Sequence, residues 1–223
     1  MMSQVTRFLR SSIGRKALMA VTGLGLIVFL VAHLAGNLLV FVSPEAFNEY
    51  SHALISNKLV YLAEAILLIA FVAHFVSGFG VTRQNRAARP VGYAMKRRAG
   101  HTSNKSLAST TMIVSGLVLL AFVPLHLYTF KFGAWYETGG EPPMRDLYRL
   151  VVEVFRDPLH VAWYVVAMVV IGFHLWHGFG SGIETLGVGS RHPVRLAGKI
   201  LAVVLAGGFA IIPVVVFVAG GRS

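Results

Sequence analysis

Histidine is the residue type that stands out when this chain is read for chemistry. Five of the nine histidines lie well inside long apolar stretches: His33, His74, His126, His174 and His177. An ionisable side chain inside an apolar helix is costly and suggests function. Imidazole nitrogens bind haem iron or other metals and transfer protons. Any one of these residues could be a hydrogen-bonded packing residue, but one on each of four consecutive stretches favours a shared role.

Composition restricts the chemistry that these histidines can perform. Only 13% of the 223 residues are charged, about half the usual fraction of a soluble domain, which indicates a membrane protein. The chain has no cysteine, which excludes disulfides, cysteine-ligated iron–sulfur clusters and covalently attached haem within it. A redox role therefore requires non-covalent cofactors held by other ligands.

Five apolar stretches must position the histidines, and each has the roughly 20 residues that a bilayer requires. They cover about 17–42, 59–82, 107–130, 159–183 and 195–219. They predict an all-α membrane protein in which residues 1–223 form a single domain, a bundle of five transmembrane helices.

The connections between the spans also carry signals. Residues 44–57 and 145–155 predict short interfacial helices in the first and third connections. The N-terminal segment and the second and fourth connections hold 14 of the 20 basic residues, with one possible acid, Glu184. The first and third connections are mixed or acidic. This alternation predicts a cytoplasmic N-terminus and an outside C-terminus in a bacterial-type inner membrane. The formal charge of +11 is thus a topology signal and does not indicate nucleic-acid binding.

Depth along the spans sorts four of the histidines into two pairs. At about 1.5 Å per residue, His33 and His126 lie roughly 24 and 28 Å from the cytoplasmic ends of their helices. His74 and His174 lie about 12 and 15 Å from those ends. We refer to His33 with His126 as the outer pair and to His74 with His174 as the inner pair. This layout is that of two stacked haems, each with two histidine ligands to iron.

Glycines accompany three of these four histidines at a spacing of one helical turn. Gly36 follows His33, Gly78 follows His74 and Gly178 follows His174. A missing side chain there would let a flat macrocycle lie against the helix. The alternative is close packing between helices through small residues.

His174 and His177 compete for the inner position because they share one helix face. We favour His174 as the ligand and assign His177 to the surroundings of the haem or its propionates. The same spacing could hold a non-haem metal directly, but no acidic residue lies at matching depth on the other spans.

Several other polar residues lie near the predicted cofactors. Arg15, Lys16 and Arg83 could pair with propionates of the inner haem, or act as snorkelling anchors at the membrane boundary. Asn37 could hydrogen-bond near the outer haem or join two helices. Glu64 is the carboxylate that lies well within a span, so it is our candidate for quinone protonation. It could equally be a neutral acid bonded to a neighbouring helix.

Several motifs resemble the cytochrome b subunit of succinate dehydrogenases and fumarate reductases, of the single-subunit, five-helix, two-haem type. They are Ser12-Ile-Gly-Arg-Lys-Ala-Leu-Met-Ala-Val-Thr-Gly23, His33-Leu-Ala-Gly-Asn37, Ala46-Phe-Asn-Glu-Tyr50, His174-Leu-Trp-His-Gly-Phe179 and Glu184-Thr-Leu-Gly187. The resemblance covers nearly the whole chain, and the order of the motifs makes it specific.

The resemblance implies that the first and third spans supply one pair of haem ligands and the second and fourth spans the other. It also implies two partners on the cytoplasmic side, a flavoprotein with FAD and an iron–sulfur subunit. Electrons would pass between the clusters, the two haems b and a membrane quinone, while succinate chemistry would belong to the partners. One position departs from the family: some members have a glutamate two residues before the ligand of the fourth span, where this chain has Gly172.

Two other functions are compatible with these residues. The first is a di-haem cytochrome b anchor of another respiratory enzyme, of hydrogenase or formate dehydrogenase type. The second is a transporter that uses buried histidines as a proton relay, although the chain lacks the internal repeats that many transporters have.

Overall fold

The computed structural model describes residues 6–8, 11–88, 111–141, 143–189 and 192–220. Seven α-helices organise this part of the chain: α1 Ser12–Asn37, α2 Pro44–Ser56, α3 Leu59–Ala87, α4 Met112–His126, α5 Leu147–Val154, α6 Pro158–Thr185 and α7 His192–Gly220. A 3-10 turn, Leu38–Phe41, extends α1, and a π-helical turn, Leu127–Lys131, extends α4. The fold is all-α, as predicted.

Five of these helices are long and apolar enough to cross a membrane: α1 with its 3-10 turn, α3, α4 with its π-helical turn, α6 and α7. Many of their large apolar side chains are exposed, and on α3 the only buried residue is Ser77. Such an extensive apolar surface is typical of a protein surrounded by lipid rather than water. The chain is therefore a multi-pass membrane protein with a five-helix bundle. The predicted start of the third span, residues 107–110, lies outside the described residues.

Local sequence signals set where several helices begin. Ser11 and Ser43 accept hydrogen bonds from the backbone N–H groups of Gly14 and Ala46, at the starts of α1 and α2. Asp157 caps α6 in the same way, and Pro158 occupies its first turn. These capping residues satisfy N–H groups that have no partner inside the helix. Because of Ser11, α1 begins about one turn before the predicted start of the first span.

The helices form a ring of four with the fifth outside it. Neighbours around the ring are α1 and α3, α3 and α4, α4 and α6, and α6 and α1, while α7 packs along α6 and α1. Thus α1 lies diagonally opposite α4, and α3 lies diagonally opposite α6. The spans that carry each predicted histidine pair therefore face each other across the interior of the bundle.

Small residues bring α7 close to its neighbours. A Cβ on Gly208 of α7 would lie 2.7 Å from Leu34 of α1, and one on Gly198 would lie 2.5 Å from Phe179 of α6. At Gly172, where some members of the resembled family have glutamate, a Cβ would lie 3.0 Å from that of Ala206. A glutamate here would have to separate α6 from α7, so the glycine at this position has a packing role.

Both predicted interfacial segments contain a helix, and a buried amide joins the two. The Asn48 side chain on α2 donates to Asp146 Oδ1 at 2.8 Å and accepts from the Tyr148 backbone N–H at 2.9 Å. Arg145, next to this junction, donates to the carbonyls of Lys131 and Ala134 beyond the end of α4. Together α2 and α5 form a cap over one end of the ring.

Candidate functional site

The four histidines meet inside the ring in the two predicted pairs. The ring centroids of His33 on α1 and His126 on α4 are 5.8 Å apart, with an interplanar angle of 88°. Those of His74 on α3 and His174 on α6 are 6.2 Å apart, at 68°. Each pair joins diagonal helices, so the two side chains meet across the bundle interior. This agrees with the pairing expected from depth along the spans.

In the inner pair, the surrounding hydrogen bonds fix the tautomer of both rings. His74 Nδ1 lies 3.0 Å from the carbonyl oxygen of Met19, and an oxygen of this kind can only accept a hydrogen bond. Ser115 Oγ donates its proton to the carbonyl of Met112, so it accepts from His174 Nδ1 at 3.0 Å. Both Nδ1 atoms therefore carry hydrogen, and both Nε2 atoms keep a free lone pair. A metal-binding histidine is oriented in this way by its surroundings.

In the outer pair, one ring has an equivalent partner. His126 Nδ1 lies 3.2 Å from the hydroxyl of Tyr164 on α6. For His33, Asn37 donates to its backbone carbonyl at 2.8 Å and lies 3.3 Å from ring Nδ1. Asn37 therefore contacts both the backbone and the ring of His33 on its own helix.

Aromatic rings surround the outer pair. Phe29 stacks on His33 at 5.2 Å, and Phe209 of α7 lies 5.6 Å from the same ring. Phe122 stacks on His126 at 5.6 Å, and Phe130 lies at 5.5 Å. These rings give the outer pair a largely apolar environment.

His177 does not contact His74. It lies half-buried one turn beyond His174 on α6, and within the described part of the chain it forms no ring contact with another histidine. His174, rather than His177, is therefore the histidine of α6 that meets His74 across the bundle. The same residues contain no group of three or more histidine, cysteine or acidic side chains that could hold a metal ion by themselves.

The three glycines that were predicted to lie beside a macrocycle differ in the side chains that they face. A Cβ on Gly36 would lie 2.4 Å from the ring of Tyr50, so this glycine admits a tyrosine of α2. The atoms nearest to Gly78 and Gly178 are the flexible ends of Met19 and Met112, at 3.5 and 3.9 Å. Only these two glycines have neighbours that could move aside for a planar group.

Gly23 is a glycine contact that sequence reasoning missed. A Cβ here would lie 2.9 Å from His74 Cε1, so the absence of a side chain on α1 lets the imidazole of α3 reach the Met19 carbonyl. Ser115 and Tyr164, which bond to His174 and His126, were also not predicted, although the sequence contains a signal for them. They lie about 12 and 28 Å from the inner ends of their predicted spans, the depths of the two pairs.

The predicted propionate partners occupy the basic end of the bundle, where α1 begins and α3 ends. Arg15 is partly buried and lies across α3, with its guanidinium 2.8 Å from where a Cβ of Gly80 would be. Lys16 and Arg83 are exposed. Among the described side chains no carboxylate pairs with Arg15, which leaves its charge available to an anionic group.

Glu64 lies at the opposite end of α3 and forms an ion pair with Lys131, in the π-helical turn that follows His126. Both side chains are about two-fifths exposed. The sequence did not predict this partner. The contact joins α3 to α4 five residues beyond a histidine of the outer pair.

Family models, curated proteins and solved structures give no match to this chain at the level of similarity that would identify a relative.

Proposed function

We propose that this chain is a di-haem cytochrome b that binds one haem between His33 and His126 and a second between His74 and His174. The observation that carries this proposal is the separation of the rings, 5.8 and 6.2 Å between centroids. Two metal–nitrogen bonds of about 2 Å, with each nitrogen roughly 1 Å from its ring centre, put two imidazoles on one iron about 6 Å apart.

The donor set also fits haem better than a bare ion. Each site offers two imidazoles, whereas a structural zinc site almost always has four protein ligands. A haem would need two histidines from the protein, and each pair would supply them. When bound, haem iron supplies one-electron redox chemistry. The residues of the chain would orient the ligands, exclude water and hold the propionates.

Different residues would serve the two haems. Arg15 is suited to a carboxylate of the inner haem because it has a partly buried charge without a described acidic partner. Near the outer pair, the buried indole Nε1 of Trp163 lacks a hydrogen-bond partner among the described residues, and its ring lies 6.2 Å from Phe122. A buried donor of this kind usually has an acceptor, and a haem carboxylate would provide one.

We further propose that the complex is a succinate:quinone oxidoreductase of a respiratory chain. The motifs quoted above support this assignment, and the absence of cysteine is consistent with iron–sulfur clusters that belong to a partner subunit. The basic end would face the cytoplasm and receive the iron–sulfur and flavoprotein subunits. This orientation follows from the alternating charge of the connections. The membrane anchor would carry electrons, with succinate chemistry on the partners.

Quinone would bind near the outer pair in this proposal. Glu64 is the candidate proton donor, and its ion pair with Lys131 offers a charged couple beside the apolar α3–α4 surface. Lys131 adds a cation that could stabilise a reduced, negatively charged quinone oxygen.

A reduced-minus-oxidised absorption spectrum of the purified chain tests the cytochrome, with a pyridine haemochrome assay to count haem. We expect two b-type, low-spin, six-coordinate haems per chain. One haem would mean that a pair is misassigned. No haem in a folded preparation expressed with haem supplied would contradict the proposal and favour the proton-relay transporter.

Identification of the partners tests the second part of the proposal. Purification of the chain from its native membrane should recover a protein with covalent or tightly bound FAD and an iron–sulfur protein, together with succinate-dependent haem reduction. A hydrogenase or formate dehydrogenase activity in their place would assign the same cytochrome to another respiratory enzyme.

A further inference from the structure

A basic cluster lies on one face of α7 at the basic end of the bundle. His192, Arg195 and Lys199 line a cavity of about 340 Å³ together with Leu196. Their spacing of three to four residues places all four side chains on the same helix face. We name this group the α7 basic cluster. It takes no part in either histidine pair.

The surface that continues from this cluster is apolar and exposed. Along the same face, Leu196, Ile200 and Val203 have exposed fractions of 48%, 55% and 61%. One turn further, Gly207 leaves open space, since a Cβ there would contact nothing within 4 Å. The helix thus presents a charged patch followed by roughly two turns of open apolar surface.

A tryptophan of the neighbouring helix completes the patch. Lys199 Nζ lies 5.2 Å from the ring centre of Trp176 on α6, a cation–π distance. This contact holds the ammonium group between α6 and α7, about two turns after the start of α7. Within the described part of the chain no acidic residue forms an ion pair with Lys199.

From these observations we infer that the α7 basic cluster binds the headgroup of an anionic phospholipid, whose acyl chain lies along Ile200 and Val203. The cations match a phosphate diester, and the apolar face below them matches a hydrocarbon chain. A soluble partner would satisfy the charges but leave that face uncovered. This inference is independent of haem and of the partner subunits.

The test is a lipid titration of the full-length chain in mild detergent, followed by native mass spectrometry. Phosphatidylglycerol and phosphatidylcholine of matched acyl chains serve as probes. Each basic residue near a membrane surface adds about 1 kcal/mol of attraction to anionic lipid, roughly a fivefold change in affinity. We therefore expect the first phosphatidylglycerol to bind at least fivefold more tightly than phosphatidylcholine.

Variants then locate the site. The preference should disappear in the double variant Arg195→Gln/Lys199→Gln and persist in Arg195→Lys/Lys199→Arg, which keeps the charge. Arg86→Gln removes an exposed charge from the end of α3 and is the matched control, which should also keep the preference. Circular dichroism checks that all variants keep the same helix content.

Four results would overturn the inference. They are equal binding of the two lipids, a preference that survives Arg195→Gln/Lys199→Gln, an equal loss in Arg86→Gln, and displacement of the lipid by millimolar inorganic phosphate. An equal loss in Arg86→Gln would mean that the overall charge of the basic end attracts the lipid. Displacement by phosphate would indicate a site for a soluble anion. Loss of partner subunits in the double variant, without any lipid preference, would assign the cluster to a protein contact.

Discussion

The hydroxyl oxygen of Ser115 lies 3.0 Å from Nδ1 of His174, and its own proton is donated to the Met112 carbonyl. A serine on α4 therefore determines which nitrogen of a histidine on α6 is free. Tyr164 contacts His126 across the same two helices, in the opposite direction. Thus α4 carries His126 and the hydrogen-bond partner of His174, whereas α6 carries His174 and the hydrogen-bond partner of His126.

In the proposed cytochrome, this reciprocal arrangement predicts that the two haems can be tuned separately. Ser115→Ala should raise the midpoint potential of the inner haem, because loss of the hydrogen bond makes imidazole a weaker donor to Fe(III). A bond worth about 1 kcal/mol corresponds to roughly 40 mV for one electron. Tyr164→Phe should shift the outer haem instead. Spectroscopic redox titration of both variants checks this, and a shift of the same haem in both would contradict it.

The pairing itself predicts which haem each ligand variant loses. His33→Ala and His126→Ala should remove the same haem, and His74→Ala and His174→Ala the other, because in the proposed cytochrome each pair would share one iron. His177→Ala should keep both, as it lies outside the inner pair. Haem counts and spectra of the five variants give the result. Loss of different haems within a pair would refute the two-pair arrangement.

The close contact between Gly23 and His74 predicts that a larger side chain at Gly23 should prevent binding of the proposed inner haem. Gly23→Leu should displace the imidazole of His74, since even a Cβ would lie 2.9 Å from it. The inner haem should then be lost while the outer haem remains. Gly25→Leu is the matched control, because a Cβ at Gly25 has nothing within 4 Å. If both variants keep two haems, the contact with α1 does not position His74.

Variants of the ion pair between Glu64 and Lys131 can distinguish a proton-transfer role of the glutamate from a structural one. If Glu64 transfers a proton, Glu64→Gln should slow quinone turnover at least tenfold while both haems stay bound. Lys131→Met should slow it less, since it keeps the carboxylate. Steady-state quinone reduction by the whole complex measures both rates. An equal loss in the two variants would mean that the ion pair, rather than proton transfer by Glu64 alone, sets the turnover, and unchanged turnover in Glu64→Gln would remove the glutamate from the quinone site.

Asp157 at the start of α6 predicts a dependence on acid pH. Its hydrogen bond with His160, then that with the Leu159 N–H, lowers the pKa of Asp157 below the ordinary value. The charged carboxylate therefore stabilises the first turn of α6 above the unfolded pKa, and this contribution disappears as pH falls through the folded pKa. Hydrogen exchange of the turn, corrected for the intrinsic rate, should rise below about pH 4. This rise in exchange should be absent in Asp157→Asn. If it persists in that variant, another group causes it.

The sequence by itself determined the membrane class, the five spans and the grouping of four histidines by depth. Apolar length and the rise of a helix are local properties, so they can be read without knowing how helices pack. The interfacial helices at α2 and α5 were also predictable, because their caps and polar patterns are local.

Only the tertiary structure decided the partners of those histidines. Whether Ser115 contacts His174, Gly23 faces His74 or Tyr50 covers Gly36 depends on the rotation of each helix about its axis and on the order of helices around the ring. That order places α1 opposite α4 and α3 opposite α6. Lys131 reaches Glu64 for the same reason, through residues 67 positions apart. Packing between spans sets these rotations, and hydropathy along one span contains no record of its neighbours.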